Sequence, residues 1–260
     1  MIHPGLVSIT FRALPPAQIV ALVRQAGLHG IEWGGDIHVP HGNVARAREV
    51  RELTIEAGLS VAAYGSYYRA GQSESNGLPF GQVLESALEL GAPTIRVWAG
   101  TAGSAASGPE MRASVVADLR RIAAAAGSSG VTVSLEFHNG TLTDTADSAA
   151  RLLDEVGHAN LFTYWQPPLD RDTAGCAEDL RRLLPRVTHL HVYHWKPSST
   201  VRLPLGEGAA RWRDFLGVAA RDARDRHAML EFVEGDAPEN FLRDAATLKK
   251  WLDRQPGLAA

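Results

Sequence analysis

The chain has 260 residues, of which 45% are apolar and 21% charged, close to the proportions of an ordinary soluble globular protein. Its formal net charge of −3 gives no general attraction to nucleic acid or to an anionic membrane surface. A run of about 18 uninterrupted apolar residues is absent, so no membrane span is expected. The first residues lack the sections of a signal peptide, and the single Cys176 excludes an internal disulfide. We therefore expect a cytoplasmic protein whose partners include neither nucleic acid nor a membrane.

Short apolar runs predict eight β-strands along the chain, and segments with helical spacing lie between them. The predicted strands are Leu6–Thr10, Gly30–Trp33, Ser60–Tyr64, Thr94–Trp98, Val131–Phe137, Leu161–Trp165, Thr188–Tyr193 and Met229–Val233. Strict alternation of strand and helix favours a parallel sheet, because parallel strands need a crossover connection. Barrels of eight such units typically take about 250 residues. The sequence thus predicts a (β/α)8 barrel, with residues 1–260 as a single domain.

Polar and aliphatic residues alternate within the later strands. In Thr94–Trp98, for example, Ile95 and Val97 form the aliphatic set and Arg96 belongs to the polar set. Alternate residues of a barrel strand face the helices and the interior. We expect the polar sets to point inward, with their last members at the C-terminal strand ends, where barrel enzymes hold their chemistry.

Glu136, Gln166, His191 and Glu231 fall at the ends of four successive predicted strands. Two carboxylates, an amide oxygen and an imidazole can together hold one divalent ion. Taken singly, each has an ordinary explanation, since strand-end glutamates usually form ion pairs or face solvent and lone histidines usually bond within the core. Their combination at one end of four neighbouring strands predicts a metal site.

The same segments resemble those of the xylose isomerase-like barrel superfamily of sugar isomerases and epimerases. The matching stretches are Val133–His138, Phe162–Gln166, Thr188–Val192, Ala228–Glu231 and Gly206–Gly208 with the following Trp212. The resemblance covers nearly the whole chain. It implies that strands five to eight supply the metal ligands, here Glu136, Gln166, His191 and Glu231.

For function, the resemblance implies a metal-dependent isomerase or epimerase acting on a small sugar or keto-polyol. Glu136 and Glu231 match the family's pair of carboxylates that move a proton on opposite sides of the substrate through an enediolate. The cofactor implied is one divalent ion, Mn²⁺, Mg²⁺ or Co²⁺, and Zn²⁺ also suits these ligands. Dimers and tetramers are common in the family, so the resemblance is compatible with a homo-oligomer.

One ligand position departs from the family pattern. Gln166 stands where the family usually has aspartate, and Leu169 stands where a histidine often follows. A neutral amide in place of a carboxylate lowers the expected affinity for a hard cation, while the bound ion stays a stronger Lewis acid. This departure leaves the metal, the substrate and tight metal binding itself open.

Further polar and aromatic residues are candidates for contact with the substrate, although each also has a structural explanation such as an internal ion pair, core packing or a solvated loop. They are Glu32, His38, Tyr64, Arg96, Trp98, His138, His194 and Arg202. Neither a Walker motif nor a dinucleotide fingerprint occurs, which favours an unphosphorylated substrate.

Three other functions compete with the isomerase prediction. A metal-dependent dehydratase or lyase on a keto-inositol or similar polyol would use the same enolate and expel a β-leaving group. A non-catalytic carbohydrate-binding barrel is favoured by Gln166. An endonuclease is disfavoured because it usually needs a three-zinc cluster and a basic groove.

Overall fold

The computed structural model describes residues 1–253 and shows a closed barrel of eight parallel strands that pair in chain order. The strands are β1 (Ile2–Val7), β2 (Gly30–Gly34), β3 (Ser60–Arg69), β4 (Thr94–Trp98), β5 (Thr132–Leu135), β6 (Leu161–Trp165), β7 (Val187–Val192) and β8 (Arg226–Leu230). The pairing of β1 with β8 closes the barrel. The predicted (β/α)8 fold is confirmed.

Each strand is followed by one helix of the outer ring. The helices are α1 (Pro16–Ala26), α2 (Val44–Glu56), α3 (Phe80–Leu90), α4 (Pro109–Gly127), α5 (Ala146–Val156), α6 (Thr173–Leu183), α7 (Ala209–Ala219) and α8 (Pro238–Leu252). Side-chain oxygens of Asn43, Thr145 and Asp172 cap the starts of α2, α5 and α6 by accepting a backbone N–H. None of the helices within residues 1–253 is both long and apolar enough to span a bilayer.

Two strands, β1 and β8, begin several residues earlier than predicted, and pairing explains both. β1 begins at Ile2 rather than Leu6, although Pro4 and Gly5 have low strand propensity, because Ile2–Leu6 pairs with all of β8. Tertiary pairing outweighs local propensity here. β8 correspondingly starts at Arg226, so that Glu231 lies directly after its last residue.

The core has two parts, separated by the barrel wall. The larger part lies between the strands and the helices and includes Ile95, Leu135 and Leu180. The smaller part fills the barrel interior and consists of Val7, Ile9, Ala62, Ala63, Tyr164 and Met229. Apolar side chains fill this interior, and Glu136 and Glu231 lie directly beyond the C-terminal ends of β5 and β8.

Gly65 on β3 makes room for a buried ion pair beside it. Its neighbour across the ladder is Arg96 of β4, which pairs with Glu32 of β2. A Cβ at Gly65 would lie 2.7 Å from Arg96 Nη2 and 2.7 Å from Glu32 Oε1. A side chain at this position would therefore push the two charged groups apart.

We expect Gly65→Ala to lower the free energy of unfolding by roughly 1–3 kcal/mol, the usual cost of overpacking. Gly217→Ala in α7 is the matched control, because a Cβ there meets nothing within 4 Å. Removing a helical glycine should raise stability by about 0.5–1 kcal/mol. Urea unfolding measures both, and a Gly65→Ala protein as stable as the wild type would contradict the close approach.

Candidate active site

Four side chains meet at the C-terminal end of the barrel because their strands are neighbours. Glu136, Gln166 and Glu231 directly follow β5, β6 and β8, and His191 lies in β7. All four are buried. His191 Nδ1 lies 3.2 Å from Gln166 Oε1 and 3.3 Å from Glu231 Oε2. The same nitrogen lies 3.8 Å from Glu136 Oε1. Three oxygens thus surround one imidazole nitrogen.

The other nitrogen of His191 faces a carboxylate. His191 Nε2 lies 3.5 Å from Glu32 Oε2, and both side chains are fully buried. Within residues 1–253, neither atom has a partner at full hydrogen-bond geometry. A proton on Nε2 would point at Glu32 and leave the Nδ1 lone pair directed at the other three side chains. This tautomer is assigned from the neighbouring charge, and it is the one found in metal-bound histidines backed by a carboxylate.

Arg96 joins two of the carboxylates. Its Nε donates to Glu32 Oε1 at 2.7 Å, and its Nη1 donates to Glu136 Oε2. The indole N–H of Trp98 donates to the same Glu136 oxygen. Glu136 is therefore held through Oε2, which leaves Oε1 facing His191.

The cluster has more carboxylates than basic side chains and therefore carries excess negative charge. Burial raises the pKa of Glu32, but Arg96 and His191 outweigh it and hold the pKa well below its usual range. Burial also opposes ionisation of Glu231, yet the charge of His191 lowers its pKa. For His191, burial lowers the pKa, whereas Glu231 and Glu32 raise it to about 10. The carboxylates thus stabilise a positive charge beside Nδ1, carried either by a proton or by a metal ion.

The arrangement fits a divalent metal ion. Ligand atoms of Glu136, His191 and Glu231 lie within 4.8 Å of one another, the one such group in the part of the chain that the structure describes. Gln166 Oε1 adds a neutral oxygen on the same side. Carboxylate and amide oxygens with one imidazole suit Mg²⁺, Mn²⁺ or Co²⁺. The buried cluster could hold an ion through these four residues.

A family model described as "Xylose isomerase-like TIM barrel" matches residues 20–252. The chain belongs to this family. No curated protein matches the chain. In solved structures, the probable 3-DHS dehydratase AsbF of Bacillus anthracis has a TM-score of 0.78 and 24% identity, over 95% of this chain and 99% of that one.

Two further structures show the same fold. A xylose isomerase-like barrel from Mycobacterium smegmatis, in complex with magnesium, has a TM-score of 0.74 and 16% identity, over 100% of this chain and 98% of that one. The 3-keto-D-glucoside 4-epimerase YcjR of E. coli has a TM-score of 0.73 and 18% identity, over 96% of this chain and 99% of that one. At these identities the likeness concerns the fold.

In this xylose isomerase-like barrel, two predicted substrate contacts lie outside the cluster. Tyr64 belongs to the core between strands and helices, and its hydroxyl donates to the Val39 carbonyl at 2.8 Å. His38 bonds Ser8 Oγ at 2.9 Å and packs edge-on against Trp33. The structure brings neither residue to the four ligand candidates.

Four of the remaining predicted contacts, Glu32, Arg96, Trp98 and His138, lie in the cluster or in contact with it, whereas Arg202 and His194 contact other residues. Glu32 and Arg96 form its floor, and Trp98 bonds Glu136 and stacks on His138 with ring centroids 4.6 Å apart. Arg202 pairs with Asp236 and lies over the Phe232 ring. His194 is half-buried, two residues beyond the end of β7.

Sequence reasoning missed three residues of the rim. Tyr67 and Phe232 have left-handed backbone conformations, with φ of 57° and 48°. Arg69 lies over the Trp98 ring at 4.0 Å. The run Tyr64–Arg69 continues the strand-forming composition of β3, so a longer predicted strand would have carried Arg69 to the rim. Nothing in the sequence marks the conformation of Phe232.

Proposed function

We propose that this protein is a metal-dependent isomerase or epimerase that moves a proton between two carbons of a sugar or keto-polyol. The convergence of Glu136, Gln166, Glu231 and the Nδ1 atom of His191 is the observation that carries the proposal. A divalent ion bound there would polarise the substrate carbonyl and stabilise the enediolate.

Glu231 and Glu136 are proposed as the proton-transfer pair. The Glu231 carboxylate would remove the proton from the carbon next to the carbonyl, as a general base. Arg96 and Trp98 hold Oε2 of Glu136. Oε1 is free of these bonds, so a proton taken from solvent onto this atom would be returned either to the neighbouring carbon or to the other face, and Oε1 would not be a metal ligand while it carries that proton. The proton removed by Glu231 would pass to solvent, so one proton leaves, one arrives, and the product is an isomer of the substrate.

Aromatic side chains around the cluster suit a carbohydrate. Trp98 and His138 stack on one side, and Trp195 lies near Phe232 with ring centroids 6.0 Å apart. Aromatic side chains present apolar surface to the C–H groups of sugars, while polar neighbours supply hydrogen bonds. A small keto-polyol is the substrate class that this rim supports.

A dehydratase is the second candidate. It is supported by the likeness to a probable 3-DHS dehydratase, which has the highest identity of the structures compared above. Glu231 would form the same enolate, and collapse of the enolate would expel a β-hydroxyl as water. Detecting an enone instead of an isomer would select this reaction. Binding of sugar without metal or turnover would instead support a carbohydrate-binding barrel.

We expect Glu231→Gln and Glu136→Gln each to slow exchange of the substrate's α-proton at least about a hundredfold, because each removes a proton-transfer group. The assay follows deuterium uptake by NMR with the Mn²⁺-loaded protein and D-fructose, D-psicose or 2-keto-myo-inositol. Glu49→Gln, which alters an exposed ion pair, is the control for charge. Exchange retained in both variants would refute the assignment.

Glu32 is predicted to orient His191. In Glu32→Gln, Oε1 can still accept from Arg96, but an amide N–H then faces His191 Nε2. The imidazole proton would move to Nδ1 and block the ligand position. We expect Mn²⁺ affinity to fall about 10–100-fold, as for lost backing carboxylates elsewhere. Isothermal titration with Glu49→Gln as control measures this, and unchanged affinity would show that Glu32 plays no such role.

A further inference from the structure

Three arginines near the barrel mouth differ in how their charge is used. Arg12 pairs with Asp36, and Arg202 pairs with Asp236. Arg69 at the end of β3 has no carboxylate within ion-pair distance and no side-chain hydrogen bond in residues 1–253. Arg69 is partly buried, so its side chain is partly removed from water without an anionic partner. A charge in this condition is free to bind an anion.

The backbone of β3 is shaped to aim Arg69. Gly65 pairs with Arg96, and Arg69 pairs with Trp98. Between these two pairs β3 advances by four residues while β4 advances by two, so β3 contains a bulge. The excess is taken up around Tyr67, whose φ of 57° is unusual for a residue with a bulky side chain. Bulges of this kind re-aim side chains beside active sites. Beyond the bulge, the hydroxyl of Ser73 accepts from the Arg69 N–H at 2.7 Å and fixes the backbone.

The indole ring of Trp98 lies between the Arg69 guanidinium and the candidate metal ligand Glu136. Its Cζ lies 4.0 Å from the centroid of Trp98, and Trp98 Nε1 donates to Glu136. Stacking uses the face of the guanidinium and leaves its N–H donors free in the plane. Trp98 therefore holds the charge in place without occupying its hydrogen-bonding edge.

We propose that Arg69 binds a carboxylate of the substrate, so that the substrate class is a carboxylate-bearing keto-polyol. This rests on the proposed function, because the polyol end is assigned to the cluster of Glu136, His191 and Glu231. A planar fork of N–H donors matches a carboxylate in a bidentate manner. Phosphate sites usually add a helix N-terminus or a nest of backbone N–H groups. A single guanidinium fits the smaller charge of a carboxylate.

The test compares shikimate, a cyclic triol with a carboxylate, with its neutral methyl ester. Isothermal titration measures both dissociation constants with and without Mn²⁺. The wild type should bind shikimate at least about tenfold more tightly than methyl shikimate, as expected for a charge-assisted pair. In Arg69→Gln the two constants should become nearly equal. Arg48→Gln, which removes an exposed charge on α2, should keep the wild-type preference.

Arg69→Lys keeps the positive charge but removes the planar set of guanidinium N–H donors. This variant should keep only part of the preference for shikimate over methyl shikimate. Thermal unfolding of both Arg69 variants establishes that each is folded. Absent binding of shikimate, equal constants in the wild type, or an unchanged preference in Arg69→Gln would overturn the carboxylate site. If the wild type prefers shikimate in an Arg69-dependent manner but catalyses no exchange of the α-proton, the proposed reaction is overturned and the carboxylate site is not.

Discussion

The site depends on one buried guanidinium. Arg96 of β4 bonds Glu32 of β2 and Glu136 after β5, and all three side chains are buried. Two such carboxylates without a counter-charge would be strongly unfavourable, because breaking a buried pair leaves an uncompensated charge. Gly65 provides the space that this pairing needs. The carboxylates in turn fix the imidazole of His191, so a single interaction spans three strands and sets the geometry of the whole cluster.

Charge also explains why the cluster suits a cation. Arg96 pairs with Glu32 and Glu136, and Glu231 adds a third carboxylate beside His191, so excess negative charge surrounds the imidazole. Gln166 contributes an amide oxygen where the family pattern has a further carboxylate. An ion held here would be neutralised less completely than in a site with three carboxylate ligands and would polarise a bound carbonyl more strongly.

The fold could be predicted from the sequence because eight alternating strands and helices in a chain of this length are compatible with few architectures other than a barrel. The four ligand candidates were readable from the polar residues at the ends of predicted strands and from the family resemblance. Tyr64, a candidate substrate contact, packs between the strands and the helices, because the pairing of β3 with β2 shifts register at Ile31–Glu32 and both Ala62 and Ala63 pack in the interior. A one-residue shift exchanges the two faces of a strand, and no local signal announces it. An internal ion pair of Arg96 with Glu136 was predictable from the polar strand residues, but its simultaneous bond to Glu32 was not, since the two carboxylates lie 40 and 64 residues away in sequence.

Four side chains that are far apart in sequence are proposed to hold one cation. Titration of the metal-free protein with Mn²⁺, followed by electron paramagnetic resonance, counts bound ions directly. The account predicts one Mn²⁺ per chain, lost in His191→Ala and retained in His194→Ala, in which the altered histidine lies just beyond β7. A wild-type protein that binds no Mn²⁺, or a His191→Ala protein that binds it as well as the wild type, would contradict the account.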